Sequence, residues 1–167
     1  KFIHGNPSGI DVNQVLSDTP LLFSKEHGAK KLPFSLDSYL LIIDTGVVGI
    51  TKHTLEHVKD NLKTYKPYID ELGSITKKVI KPLKEKNIDL IGEYMYKAHS
   101  LLQKIGVSHE KNDEVVELCK NNNAKGAKLT GGGAGGCCIC LCDTKENALK
   151  IQEELKEKGY LSWMVTV

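Results

Sequence analysis

The most restrictive feature of the sequence is a glycine-rich stretch between two apolar segments in its last third. Five of the six residues from Gly131 to Gly136 are glycine, so several of them can adopt the positive φ angles that other residues avoid. Backbone amides in such a loop can converge on one point and bind an anion there. The alternative, a flexible hairpin between strands, would need only two glycines. The stretch therefore favours a loop that lies next to a phosphate group.

Two familiar nucleotide-binding motifs do not fit this stretch. Gly131, Gly133 and Gly136 satisfy the G-x-G-x-x-G spacing, but a strand-like segment at 138–141 follows where a dinucleotide fold requires a helix. A Walker A loop would close with Gly-Lys-Ser or Gly-Lys-Thr, and the sequence has neither at this place. We therefore predict neither a Rossmann fold nor a P-loop.

Composition is typical of an ordinary globular domain and argues against nucleic-acid binding. Of the 167 residues, 40% are hydrophobic and 26% are charged, with a net charge of +2. Lysines alternate with acidic residues along stretches such as 145–158, whereas nucleic-acid surfaces usually cluster basic residues beside aromatic ones. The longest apolar runs, 39–43 and 136–141, are far shorter than the roughly 20 residues of a membrane span. We expect a soluble, cytoplasmic protein that binds neither nucleic acid nor membranes.

Hydrophobic periodicity predicts an α+β fold in a single domain over residues 1–167. Helical spacing runs from 51 to 123, with breaks expected near Pro67, at 86–87 and at 106–108. Strands are expected at 20–25, 38–44, 127–130, 137–143 and 160–167, with an exposed turn at 27–33 and a helix at 145–158. A ferredoxin-like antiparallel sheet, covered on one face by helices, fits this order of elements.

The first residues carry a second candidate site, in the segment HGNPSGID at 4–11. Ser8 and Asp11 have the S-x-x-D spacing of a helix N-cap, and capping is the simpler interpretation of the pair. A carboxylate in the first helical turn is also stabilised as an anion by the helix dipole. The preceding Pro7 would hold it on a rigid loop that a substrate hydroxyl can approach. Catalysis by Asp11 is therefore the alternative.

The cysteines are predicted to be buried apolar side chains and not a metal site. Four of the five lie within 137–142, and sulfurs two residues apart on one strand are expected roughly 6 to 7 Å apart, too far to share one tetrahedral zinc ion. An odd number of cysteines without any sign of export implies reduced thiols. His99, which lies in a helical apolar stripe, is expected to be partly buried.

The segments HGNPSGID at 4–11 and KLTGGGAGG at 128–136, in this order, resemble the mevalonate kinases, a family of the GHMP small-molecule kinases. A third segment, Asp44–Val47 followed by Thr51 and Lys52, resembles an element of the bacterial members. The first motif is specific for this family, whereas the glycine motif is shared by all GHMP kinases. The family's loop usually reads GAGGGG, whereas here a glycine stands at position 132, where alanine is usual, and an alanine at position 134, where glycine is usual. The resemblance covers nearly the whole chain.

This resemblance implies transfer of the ATP γ-phosphoryl group to the primary hydroxyl of mevalonate, which gives 5-phosphomevalonate for isoprenoid biosynthesis. Asp11 matches the catalytic aspartate, which orients and deprotonates the hydroxyl or acts electrostatically. Ser8 and Thr45 match positions on the substrate side. The residues implied to lie near the ATP phosphates are Thr130, Gly131, Gly132, Gly133 and Gly135.

The resemblance also implies a partner domain. The serine-rich phosphate loop, the Mg²⁺-coordinating acid and the amino-terminal lysine of these kinases lie upstream of the matching region, and no equivalent follows Lys1. We therefore expect the C-terminal domain of a two-domain enzyme, inactive without its N-terminal ATP-binding domain, with residues 1–19 at the domain junction. ATP and Mg²⁺ are the expected cofactors, with the Mg²⁺ ligands in the N-terminal half. Family members often form a homodimer.

Two other interpretations remain open. The chain could belong to another GHMP kinase that acts on phosphomevalonate, homoserine or a sugar, although the segment at 4–11 argues against this. It could also be a ferredoxin-like ligand-binding module without catalytic activity, in which Asp11 is only a helix cap.

Overall fold

A computed structural model of the chain describes residues 14–24, 26–49 and 51–167. The chain divides into two compact units, Lys1–Ser35 and Leu36–Val167. The described strands are β1 (Leu21–Ser24), β2 (Gly28–Lys31), β3 (Tyr39–Asp44), β4 (Gly126–Thr130), β5 (Cys137–Cys142) and β6 (Leu161–Thr166). The described helices are α1 (Thr51–Asp60), α2 (Leu62–Lys78), α3 (Ile80–Lys84), α4 (Ile88–Lys104), α5 (Glu110–Asn121) and α6 (Lys145–Glu157).

The smaller unit contains an antiparallel hairpin of β1 and β2, in which Leu21 lies opposite Lys31. The prediction of an exposed turn over 27–33 is therefore wrong, because Gly28–Lys31 is a strand. Its side chains are all exposed, so they lack the alternation of buried and exposed residues by which sequence patterns identify strands. The hydroxyl of Ser24 accepts a hydrogen bond from the amide of His27 at 3.0 Å and thereby closes the short turn.

The larger unit is built on a four-stranded antiparallel sheet with the strand order β4-β5-β3-β6. Along the chain, β3 is followed by five helices, then by the hairpin of β4 and β5, then by α6 and β6. This β-α-β-β-α-β order is that of the ferredoxin-like fold. The predicted α+β class and the ferredoxin-like sheet with helices on it are thus confirmed. The six residues between β4 and β5 are the glycine-rich stretch.

The core lies between one face of this sheet and the helices α5 and α6. Alternate residues of β3 and β5, such as Leu41 and Cys140, are fully buried there, as the period of two in a strand requires. Helix α5 contributes Val115 and α6 contributes Ile151, both also without exposed surface. These alternating strands and amphipathic helices bury their apolar faces against each other, which is the main source of stability for such a fold.

The cysteine prediction is confirmed in one respect and wrong in another. All five thiols are free, and all except Cys137 are buried, as expected of apolar core residues. The sulfurs of Cys140 and Cys142 are, however, only 3.8 Å apart, because the two side chains lean toward each other on the same face of β5. Within the described residues, no group of three or more His, Cys, Asp or Glu side chains is placed to hold a metal ion.

The helix boundaries depart from the prediction at two places, one of which is a break at Val79, between α2 and α3, that the sequence analysis did not predict. The breaks expected at 86–87 and 106–108 are present, but Pro67 lies inside α2 and the chain breaks at Asn61 instead. Pro67 is the sixth residue of α2, so its missing amide removes only one bond near the start of a 17-residue helix. Over the ranges 14–24, 26–49 and 51–167, no helix is both long and apolar enough to cross a membrane.

Helix α4 covers the free edge of β4 through a contact between two glycines. Gly92 of α4 and Gly126 of β4 pack so closely that a Cβ on either residue would overlap the main chain of the other segment. The Tyr96 hydroxyl donates to the Ala124 carbonyl at 3.0 Å, and the Leu129 amide donates to the His99 ring at 3.4 Å. The unpaired edge, which would otherwise attract another strand, is therefore protected.

We expect Gly92→Ala to lower the free energy of unfolding by about 1 to 3 kcal/mol, because the added methyl group would overlap the Lys125 carbonyl. Gly73→Ala is the matched control: Gly73 lies in α2, and a methyl group added there would have no heavy atom within 4 Å. In an exposed helix this change should raise stability by about 0.5 to 1 kcal/mol. Urea unfolding of both variants tests the contact, and a shift in the same direction for both would contradict it.

Candidate functional site

The glycine-rich loop at 131–136 has a backbone that only a glycine-rich sequence can follow. Four of its glycines have φ angles between 66° and 113°, and Ala134 also has a positive φ of 57°. Side chains with a Cβ rarely adopt such angles, so the glycines are needed for the path of the chain. The prediction that several residues of this stretch take positive φ is confirmed.

One side of the loop is bound to the segment that follows β3. The Gly136 amide donates to the Val47 carbonyl at 2.7 Å, and the Gly136 carbonyl accepts from the Thr45 amide at 3.0 Å. The Thr45 hydroxyl donates to the same carbonyl at 2.6 Å. A Cβ on Gly135 would meet Val47 at 2.6 Å, so the two segments are in tight contact along their main chains.

A second set of bonds ties the loop to the residues around the start of α5. The Ala134 amide donates to the Val107 carbonyl at 2.8 Å. Gly135 exchanges two hydrogen bonds with the side chain of Asn112, at 3.0 and 3.1 Å. A Cβ on Gly133 would overlap the Val107 carbonyl, so glycine is required at this position for steric reasons as well.

These bonds correct one part of the sequence-based prediction. Several amides of the loop were expected to converge on an anion, but those of Ala134, Gly135 and Gly136 donate to protein acceptors. The amides of Gly131 and Gly132 take part in none of these bonds. Ala134, Gly135 and Gly136 therefore anchor the loop through their amides.

The loop residues predicted to lie near phosphate are brought together around one open depression of about 380 Å³. Its lining consists of Gly49, Thr130, Gly131, Gly132, Gly133, Gly135, Gly136 and Cys137. A Cβ on Gly131 or Gly136 would meet no atom within 4 Å, so this side of the loop is open, whereas the opposite side is packed. A surface made almost entirely of main chain permits close approach by an anionic group.

The three other predicted site residues are Thr45, Ser8 and Asp11, of which the structure describes only Thr45. Thr45 is buried, at 5% exposure, and its hydroxyl is bound to the Gly136 carbonyl; it supports the loop and does not line the depression. A substrate-side role for Thr45 stays a prediction. Ser8 and Asp11 lie outside the described residues.

Two titratable groups lie where β4 leads into the loop: His99, which is buried beside the strand, and Lys128, which is half-buried within it. The Nε2 atom of His99 lies 3.1 Å from Oδ1 of Asp113, which also accepts a hydrogen bond from the Ser108 hydroxyl. Burial lowers the pKa of His99, and the nearby Asp113 carboxylate only partly opposes this effect. Burial also lowers the pKa of Lys128, whose ammonium group donates to the Leu129 carbonyl at 2.6 Å.

The sequence-based analysis missed Asn112 and Val107. Asn112 precedes Val115 by three residues and Cys119 by seven, so it lies on the buried face of α5 and has no exposed surface. A polar residue on an apolar helix face is a signal that can be seen in the sequence, since a buried amide needs partners. Val107 contributes its carbonyl group to the loop, and no side-chain pattern encodes that.

Three comparisons place these features among known proteins. The family model described as GHMP kinases C terminal matches residues 79–161. A mevalonate kinase of Dictyostelium discoideum is 30% identical over 100% of this chain and 47% of its own length, and one of Aeropyrum pernix is 32% identical over 84% of this chain and 45% of its own length. The chain thus spans less than half the length of these curated relatives.

A solved structure has the same fold along almost the entire chain. The structure of L. major mevalonate kinase in complex with R-mevalonate superposes with a TM-score of 0.88 at 26% sequence identity. The match covers 98% of this chain and 54% of that protein.

We expect Thr45→Val to lower the free energy of unfolding by about 1 kcal/mol, because valine has a similar shape but cannot donate to the Gly136 carbonyl. Thr76→Val is the matched control, since its hydroxyl donates to the Leu72 carbonyl on an exposed helix face. The control should change stability by less than about 0.5 kcal/mol. Thermal or urea unfolding measures both, and equal effects would show that the Thr45 hydroxyl does not secure the loop.

We expect the free energy of unfolding to fall as the pH is lowered through the histidine range. Because burial lowers the pKa of His99 in the folded state, the unfolded chain binds the proton first. The stability due to neutral His99 is present above the unfolded pKa of about 6.5 and is lost as the pH falls through the folded pKa. His99→Gln should flatten the slope of stability against pH. His27→Gln, in the exposed β1–β2 turn, is the matched control, and equal slopes for the two variants would contradict the prediction.

Proposed function

We propose that this chain, a C-terminal domain of the GHMP kinase family, takes part in the ATP-dependent phosphorylation of mevalonate. Mevalonate kinases are its homologues along its length. The observation that supports this proposal best is the glycine loop, which is packed on one side and open on the other. The residues matched to the phosphate-proximal motif line its open side. Product formation would yield ADP and 5-phosphomevalonate, a step of isoprenoid biosynthesis.

In this proposal the first half of the loop lies beside the ATP phosphates. Gly131 and Gly132 have no side chains, so an anionic group can approach their main chain closely, and their amides take part in none of the bonds that anchor the loop. Amide donors held in place before the reaction stabilise charge on a transferring phosphoryl group without reorganisation. The anchoring bonds at Ala134, Gly135 and Gly136 supply this rigidity.

Asp11 is proposed to orient the primary hydroxyl of mevalonate and to accept its proton, with Ser8 beside it. In phosphoryl transfer most of the catalytic effect comes from positioning and electrostatics, and a carboxylate near the attacking hydroxyl serves both. The oxygen of mevalonate forms the new bond to phosphorus, the bond to the ADP oxygen breaks, and the hydroxyl proton passes to the carboxylate. Thr45 is proposed to act from the substrate side by holding the loop at Gly136.

The complete activity is proposed to need a second domain. Since the matched relatives are more than twice as long as the region they share with this chain, we propose that an N-terminal domain binds most of the nucleotide. Mg²⁺ accompanies ATP in this proposal, and it would neutralise charge on the phosphates. Its protein ligands are proposed to lie in the N-terminal domain. We also propose that the enzyme is cytoplasmic and that it forms a homodimer.

The decisive experiment is a phosphorylation assay on the enzyme that contains this domain together with its N-terminal partner domain. Asp11→Asn should lower kcat by about 10²- to 10⁴-fold, because the amide cannot accept the hydroxyl proton. Asp70→Asn is the matched control, since its carboxylate lies on the exposed face of α2, where it pairs with Lys66 at 2.8 Å; it should leave kcat unchanged. Unchanged turnover in Asp11→Asn would favour the non-catalytic binding module.

A panel of acceptors in the same assay separates the kinases of this family. Mevalonate should be phosphorylated with a kcat/KM far above those for phosphomevalonate, homoserine and galactose. If the enzyme prefers one of the other three acceptors, that acceptor and not mevalonate is its substrate, and the enzyme is still a kinase.

A further inference from the structure

Asn112, in the first turn of α5, is the only fully buried polar side chain that contacts the glycine loop within the part of the chain that the structure describes. Its neighbours on the same helix face, Val115, Val116 and Cys119, all belong to the apolar core. An apolar residue at position 112 would continue this face. The presence of an amide there therefore calls for a reason other than core packing.

The Asn112 side chain uses its complete hydrogen-bonding capacity. Its Nδ2 atom donates to the Gly135 carbonyl at 3.0 Å and to the Cys138 sulfur at 3.4 Å. Its Oδ1 atom accepts from the amides of Gly135 and His109, each at 3.1 Å. An amide side chain has two donor hydrogens and two acceptor positions, so each has a partner. The opposite orientation of the amide would place donors against donors.

Through these bonds one side chain couples the start of α5 to the loop. The bond from His109 closes the helix N-terminus, and the two bonds to Gly135 resemble those of a residue pair in an antiparallel sheet. They hold both the N–H and the C=O groups of Gly135 toward α5, with a φ of 113° that only glycine adopts readily. Because the Ala134 amide donates to the Val107 carbonyl as well, three successive peptide groups of the loop are fixed.

We propose that Asn112 is a positioning residue for the glycine loop, which keeps Gly131 and Gly132 open to the depression by holding Gly135 against α5. The proposal rests on the proposed function for its catalytic meaning, since the positioned loop is the one placed beside the ATP phosphates. Asn112 itself touches only protein groups. Its effect on turnover is exerted through the loop.

The first test follows amide hydrogen exchange by NMR in this chain and its Asn112→Asp variant. A carboxylate can still accept from Gly135 and His109 but cannot donate to the Gly135 carbonyl, whereas a protonated carboxyl group can. At neutral pH the amides of Ala134 and Gly136 should exchange about tenfold faster than in the unmodified chain, after correction for intrinsic rates. The difference should shrink as the pH is lowered and the buried carboxyl group becomes protonated.

Asn147→Asp is the matched control for this test. It makes the same chemical change on α6, at a side-chain amide that donates to the carbonyl of Asn122, the residue after α5. Exchange at Ala134 and Gly136 should stay within twofold of the unmodified chain. Amides of Ile151 and Leu155 report on the core. Equal acceleration of core and loop amides in Asn112→Asp, or no acceleration at all, would overturn the proposal.

Asn112→Leu provides a second variant in which the apolar face of α5 is continuous and all four hydrogen bonds are lost. It should remain folded and show faster exchange at His109, Ala134, Gly135 and Gly136, while the core amides of Ile151 and Leu155 keep their rates. Failure of both variants to fold would also overturn the proposal, because Asn112 would then be required for the fold as a whole.

The kinase assay adds the functional readout. In the enzyme that contains both domains, Asn112→Leu should raise KM for ATP about tenfold, while KM for mevalonate stays within twofold. A change in kcat alone, with both KM values unaltered, would contradict the role in nucleotide positioning. If the enzyme has no mevalonate kinase activity, the proposed function fails, while the exchange experiment still decides whether Asn112 orders the loop.

Discussion

The main-chain hydrogen bonds on the packed side of the glycine loop are the constraint on which the candidate site depends. The loop has few side chains of its own, so it cannot be held by apolar contacts, and glycine gains more conformational freedom than other residues when it is released. Its order must come from neighbouring groups that already have fixed positions. Val47, Val107 and Asn112 provide such groups from the end of β3, the turn after α4 and the first turn of α5.

The ferredoxin-like sheet explains why these three segments meet. The loop joins β4 to β5, and β3 pairs with β5 so that Asp44 lies opposite Cys137. This pairing alone places the end of β3 beside the start of β5. Helix α4 is fixed on the β4 edge by the contact of Gly92 with Gly126, which in turn sets the position of the turn that contains Val107. Packing far from the loop thus decides its conformation.

The anchoring of the loop through the amides of Ala134, Gly135 and Gly136 bears directly on the proposed binding of phosphate. A phosphate site built from main-chain amides is effective only when those amides are held in place before the ligand arrives. The amides of Ala134, Gly135 and Gly136 hold the loop in place in this way, and no charged side chain lines the depression.

Local patterns in the sequence were sufficient to predict the α+β class, the buried thiols of β5 and a loop with positive φ angles, because each depends on periodicity or on the properties of a single residue type. They failed for Gly28–Lys31, a strand defined only by its pairing with β1, and for Pro67, which one missing hydrogen bond could not remove from a 17-residue helix. The partners of the loop amides were likewise beyond local patterns, since Gly135 meets Asn112 across 23 residues and Thr45 meets Gly136 across 91. Such contacts exist only after the sheet has assembled, and so the tertiary structure alone decided which amides of the loop are bound to protein acceptors.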